Sequence, residues 1–81
     1  MKTTIVRVWI DNKAVYIQTN KGVIYNEQFA DYPRLRVATP FQLANFEHDN
    51  IGIRWNELDE DLNYRGFMRE EKILTEIPLE L

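Results

Sequence analysis

At the head of the second half of the chain's acidic region, Gly52-Ile53-Arg54-Trp55 runs directly into Asn56-Glu57-Leu58-Asp59-Glu60-Asp61-Leu62, so a short strand-like pattern meets four carboxylates within five residues. No other stretch constrains the fold as strongly. Ile51, Ile53 and Trp55 alternate with Gly52 and Arg54, the period-two pattern of a strand with one buried face. Trp55 is its heaviest apolar anchor. Beyond it the backbone is expected to turn, because Asn56 and the acidic run disfavour strands and favour turns and helix starts. Leu58 and Leu62 lie four apart, so the spacing predicts a helical turn that points both leucines into a core and the carboxylates to water.

The N-terminal part alternates more plainly. From Thr4 to Ile10, Val6, Val8 and Ile10 oppose Ile5, Arg7 and Trp9, which predicts a strand with Val6, Val8 and Ile10 on its apolar face. Asp11-Asn12-Lys13 has turn chemistry, and Ala14 to Thr19 resumes the alternation with Val15 and Ile17 opposite Tyr16 and Gln18. Asn20-Lys21-Gly22 tolerates positive φ, so Val23 to Asn26 should return as a third antiparallel strand. The expectation is a three-stranded meander.

Further on, Asp31-Tyr32-Pro33 leads into one helical turn around Arg34 and Leu35, since proline suits a first helical position. Thr39-Pro40-Phe41-Gln42 carries a capping box: threonine as N-cap, proline at N1 and glutamine at N3. A helix should start at Pro40, cover the sheet through the pairs Leu43/Phe46 and Phe41/Ala44, and end at His48-Asp49-Asn50. Asn63 can cap a last short helix running through Met68. In the tail, residues 69–81, the apolar residues Ile73, Leu74, Ile77, Leu79 and Leu81 have mixed periodicity and Pro78 blocks a continuous helix; the tail is expected to add a strand or to pair with another subunit as a homo-oligomer.

Several of these pieces occur together in one known pattern. Pro33-Arg34-Leu35, Ala38-Thr39, Gln42, Gly52-Ile53-Arg54-Trp55, Leu58-Asp59-Glu60-Asp61-Leu62 and Gly66-Phe67 carry it in order and spacing. Through them, residues 32–68 resemble domain-of-unknown-function family 2442, a group of small, mostly bacterial domains of mixed α and β structure. Leu43 stands where that pattern has a basic residue, and residues 69–81 lie outside it. The resemblance implies no established activity. It implies a genetic neighbourhood in which such domains are encoded beside another small protein, in an arrangement like a toxin–antitoxin pair. Some relatives join the domain to a DNA-binding helical domain, for which this chain has no counterpart.

A chain of 81 residues builds one core, so a single domain over 1–81 is expected, divided into the meander (1–26), the helical segments with the Trp55 strand (27–68) and the tail (69–81). The expected class is α+β: a small antiparallel sheet, made of the meander plus a later strand, packed with two or three short helices. Absence of cysteine removes disulfides, thiolate nucleophiles and Cys-ligated zinc, and fits a cytoplasmic location. Arg7 interrupts any signal-peptide core, and no apolar run is long enough to span a bilayer. The net charge of −3 is unevenly spread: residues 1–40 hold six basic and three acidic side chains, residues 41–81 four and ten. Such asymmetry can orient a partner electrostatically.

Chemistry finds little purchase in these residues. Glu57, Asp59, Glu60 and Asp61 are hard oxygen ligands of the kind a small metal-dependent hydrolase would use, but they lack the alternate spacing and the glycine of an EF-hand loop. His48 is the only histidine, which suits a solvated helix end better than a metal site. Thr39 has no activating base nearby in sequence, and its capping role accounts for it. Gly22, Gly52 and Gly66 are isolated, so no phosphate-cradling loop exists and no cofactor is expected. Arg34, Arg36, Arg7 and Lys21 with Tyr32 and Trp9 form the best basic and aromatic set for nucleic acid, against which the acidic balance argues. The reading is therefore a non-enzymatic binding or regulatory domain. Its partner would be a protein encoded by a neighbouring gene, met through Glu57, Asp59, Glu60, Asp61, Arg34 and Arg36, while Trp55, Thr39, Gln42, Leu58 and Leu62 serve structure.

Overall fold

The structure is a computed structural model that describes residues 2–69 and 73–76. Three six-residue strands, β1 (Ile5–Ile10), β2 (Ala14–Thr19) and β3 (Val23–Gln28), form the expected meander. Ile5, Val8 and Ile10 on β1 share a face with Thr19, Ile17 and Val15 on β2 and with Tyr25 and Glu27 on β3. That face is the core side. Gly22 closes the second hairpin at φ 86, the left-handed region in which glycine carries no Cβ penalty.

The first strand departs from strict alternation. Ile5 pairs with Thr19 but Arg7 with Gln18, so a β-bulge between them leaves Val6 as the extra residue. Ile5 thereby joins the core face at 3% exposure, and Val6 is 57% exposed instead of lying beside Val8. A one-residue slip exchanges the faces of a strand, which is why the apolar residue chosen from simple alternation was the wrong one at this end.

After β3 a 3-10 turn (Phe29–Asp31) and the one-turn helix α1 (Pro33–Arg36) bury Phe29 and Leu35. Helix α2 (Pro40–Ala44) begins where the capping box places it. The Gln42 N–H donates to Thr39 Oγ1 at 3.1 Å and the Thr39 N–H to Gln42 Oε1 at 2.9 Å. Such a cap contributes about 1 kcal/mol. The helix is shorter than expected: Asn45 leaves helical geometry, and Glu47–His48 becomes a strand, β4, paired with β5 (Gly52–Trp55). Leu43 is buried and Phe46 packs on the core from beyond the helix, so the two do not form the expected i, i+3 helical pair, whereas Phe41 is 79% exposed and Ala44 is exposed too. Only one face of a five-residue helix can reach the core, and Leu43 occupies it.

The acidic run also differs from expectation. It is the turn of a β-hairpin and not the start of a helix, because β6 (Glu60–Asn63) pairs antiparallel with β5. Ile53 faces Leu62 and Trp55 faces Glu60, so Leu62 reaches the core from a strand. Ile51 lies outside β5 at 58% exposure. Strands β4, β5 and β6 make a second sheet, which means that the Trp55 strand does not join the meander. Helix α3 (Tyr64–Arg69) follows, with the Gly66 N–H donating to Asn63 Oδ1 at 3.0 Å as the Asn63 cap predicts. The strand that completes the meander comes from the tail: β7 (Ile73–Glu76) pairs antiparallel with β3 of its own chain, giving the order β1-β2-β3-β7. The remaining tail residues, 70–72 and 77–81, fall outside the described residues.

One apolar cluster joins the two sheets. Ile5, Val15, Ile17, Tyr25 and Phe29 meet Leu35, Leu43, Ile53, Trp55, Leu62 and Phe67. Trp55 is fully buried, donates Nε1–H to Leu43 O at 2.9 Å, and lies edge-on to Phe29 with ring centroids 6.3 Å apart. A buried indole N–H finds its acceptor at the end of α2, so the one side chain supplies both apolar area and a positional bond.

Candidate functional site

The acidic hairpin is a shaped object. The Leu58 N–H donates to Trp55 O at 3.2 Å and the Asp59 N–H to Asn56 O at 3.3 Å, and Asp59 takes φ 52, a left-handed conformation that aspartate tolerates better than most residues. Arg54 spans the turn from the neighbouring strand. Its Nε donates to Asn56 Oδ1 at 2.8 Å, Nη2 to Asp59 Oδ1 at 3.0 Å, and Nη1 stands 3.6 Å from Asp61 Oδ2.

Two further ties come from the helical segment. Arg34 donates Nη1 to Asp59 O at 3.1 Å and lies 3.7 Å from Glu60 Oε1. Gln42, having completed the capping box with its oxygen, donates its Nε2 to Glu57 Oε2 at 3.2 Å. The Asp59 and Asp61 side chains are 80% and 74% exposed, so these ion pairs are each worth no more than about 1 kcal/mol. Their effect is on shape. They fix the hairpin against α1 and α2 while Glu57, Asp59 and Asp61 stay in solvent and Glu60, at 18% exposure, is largely covered.

This arrangement separates the residues offered for metal binding. Glu57 is directed to Gln42, Glu60 to Arg34, and Asp59 and Asp61 to Arg54. Among the described residues no three His, Asp or Glu side chains converge as a metal site. His48 sits on β4 opposite Ile53, exposed, with its ring 6.4 Å from that of Phe46. It is therefore a strand residue and not the helix-end histidine expected from Glu47 and Asp49 beside it. Thr39 Oγ1 is occupied by the Gln42 amide, as the capping box requires.

The basic and aromatic set is dispersed as well. Arg7 lies 4.5 Å over the Trp9 ring on the outer face of the meander, and Trp9 stacks on Tyr16 at 5.5 Å with 10° between the planes. The indole is thus engaged by both a guanidinium and a phenol within the chain. Tyr16 donates its hydroxyl to Asp11 Oδ2 at 2.6 Å, which holds the Asp11 carboxyl below its ordinary value and raises the Tyr16 phenol above its own. Backbone donation from Lys13 and Ala14 lowers Asp11 further. Arg34 turns to the hairpin, whereas Arg36, two residues on, lines a different groove, as Lys13 does. Tyr32 packs against the core.

Two features were not read from the sequence. Val37 and Phe41 project from the α1–α2 segment at 76% and 79% exposure. Their signal was phase: Leu35 and Leu43 fill the core-facing positions, which leaves Val37 and Phe41 outside. Glu27 is 1% exposed on the core face of β3, and its signal was alternation carried two residues past Tyr25.

The family described as protein of unknown function (DUF2442) matches residues 5–72, which takes in strands β1 to β6, all three helices and the acidic hairpin and stops before β7. The chain belongs to the DUF2442 family. No curated protein and no solved structure gives a significant match. DUF2442 membership names no substrate or activity, so the surface itself must carry the argument. Among the described residues, no helix is long and apolar enough to cross a membrane.

Proposed function

We propose that this DUF2442 domain is a non-enzymatic binding or regulatory module that docks another protein through the acidic hairpin and the adjoining α1–α2 segment. One observation carries the reading. Phe41, 79% exposed, stands next to Gln42, and Gln42 is bonded to Glu57 of a hairpin on which Glu57, Asp59 and Asp61 are exposed yet held in place. A large apolar side chain beside pre-positioned charge suits a protein contact, in which a few anchors provide affinity and the charged rim provides rate and orientation. The partner this surface fits has an apolar recess with a basic rim. The resemblance to domains encoded beside a second small protein supports a two-protein bacterial system of the antitoxin-like kind, with both proteins in the cytoplasm.

Co-expression with the protein encoded next door tests this. A stable complex is expected by light scattering after chromatography. Phe41→Ser should weaken it at least about tenfold. Asp59→Asn with Asp61→Asn should slow association, most at low salt, while leaving the melting temperature within a few degrees. A complex indifferent to all three changes would place the contact elsewhere.

A further inference from the structure

On the far side of α1 from the hairpin lies a groove of about 330 Å³ between the β1–β2 turn and the α1–α2 segment. Its apolar lining is Phe29, Ala30, Leu35, Ala38, Pro40 and Leu43, and its charged lining among the described residues is Lys13 and Arg36, with no carboxylate. We infer that this groove is a second docking site, for a short segment of a partner protein that carries apolar side chains beside an acidic one.

The walls are built before any partner arrives. Lys13 sits in a turn closed by Asp11, whose Oδ1 accepts from the Lys13 and Ala14 amides, each at 2.8 Å. The Lys13 carbonyl in turn accepts from the Phe29 N–H at 2.9 Å, which fixes the turn to the floor. The opposite wall is held by the capping box, which sets Pro40, and by the Ala38 N–H donating to Leu35 O at 3.3 Å. A groove with rigid walls spares a partner much of the ordering cost of binding. Its size falls at the lower end of the range that ligand pockets occupy, enough for two or three side chains and not for a folded surface. Charge decides the occupant. The hairpin gathers carboxylates around Arg54 and Arg34, but among the described residues no carboxylate lines the groove with Lys13 and Arg36, so an acidic residue in the occupant would complete them. This site goes beyond the hairpin reading and stands if that reading fails.

The probe is a displayed library of random linear peptides panned on the full chain, followed by affinity measurement on a synthetic copy of the leading peptide. Enrichment of sequences that place Asp or Glu within two positions of Leu, Ile or Phe is expected. Lys13→Glu with Arg36→Glu, both exposed positions, should weaken the peptide about tenfold or more, and raising salt from about 50 to about 500 mM should weaken it in wild type. Ala30→Trp, which fills the exposed rim of the groove without changing charge, should abolish binding. Asp59→Asn with Asp61→Asn should leave it unchanged, which separates this site from the hairpin. Enrichment of basic peptides, absence of any binder, or a peptide that survives both the charge reversal and Ala30→Trp would overturn the proposal. So would a concentration-dependent dimer abolished by the same variants, since a second copy would then be the occupant.

Discussion

The β1–β2 and β4–β5 hairpins turn on the same device and yet build very different sheets. Asp11 and Asp49 each donate their N–H to the carbonyl three residues on, Ala14 O and Gly52 O, both at 3.0 Å. Each also accepts two amides on Oδ1, those of Lys13 and Ala14 in one case and of Ile51 and Gly52 in the other, at 2.8–3.0 Å. One turn joins two six-residue strands. The other joins a two-residue strand to a four-residue one. The turn fixes where the chain reverses, and the flanking side chains decide how far pairing runs. Val8 and Ile10 face Ile17 and Val15 across the first hairpin, whereas only Ile53 and Trp55 anchor the second.

If the small sheet depends on its anchor more than on its turn, Trp55→Ala should have the largest effect, roughly 3–5 kcal/mol. For a domain of this size that lowers Tm by about 15–30 °C. A soluble variant melting within a few degrees of wild type would break the comparison. Next comes Gly52→Ala. A Cβ there would lie 2.9 Å from Leu62 O, so β5 and β6 must separate, at a cost of about 1–3 kcal/mol by urea unfolding. An unchanged midpoint would show that the strands have slack.

The turns themselves can be compared directly. Asp11→Ala and Asp49→Ala each remove an acceptor from two amides and should each cost about 1 kcal/mol. Hydrogen exchange should tell them apart. Asp49→Ala should release the amide of Glu47 well before global unfolding, whereas the long strands beside Asp11 keep their protection. Equal loosening of both hairpins would mean that the turn governs strand length after all. The smallest effect is electrostatic. Tyr16→Phe removes the strongest influence lowering the Asp11 carboxyl, so that group should titrate nearer its ordinary value in an NMR titration. In the native protein the contribution of a lowered carboxyl is present above the ordinary range and lost as pH falls through the lowered value, so Tyr16→Phe should narrow the acid-side difference between folded and unfolded chains.

What could be read without the structure follows from the range of the interactions involved. The Thr39 cap, the Asn63 cap, the Gly22 turn and the alternation of β2 are all decided within five residues, and all appeared as expected. The acidic run was ambiguous because Asn, Asp and Glu serve a helix start and a hairpin turn equally well. Pairing of Arg54 with Asp61 and Ile53 with Leu62 chose between them, and that pairing is a property of two strands together. The helix at Pro40 was overextended for a related reason. Phe46 continues its spacing, but His48 finds a strand partner in Ile53. The candidate surface shows the same division. Its carboxylates were identifiable from composition, but the sorting of Arg34 to the hairpin and Arg36 to the groove depends on which side of a single helical turn each occupies.

The bulge in β1 bears on how the protein behaves in a crowded solution. An outermost strand is an open template on which a second chain can add itself, the first step toward fibrous aggregates. Here the Ile5 N–H is already committed to Asn50 O at 2.8 Å, and the extra residue Val6 breaks the regular spacing that an incoming strand would need to match. Arg7 follows directly, bringing a charge that a stacked copy would have to bury. A residue that looks misplaced when counted by alternation thus acts as a guard against runaway self-association at the sheet's margin.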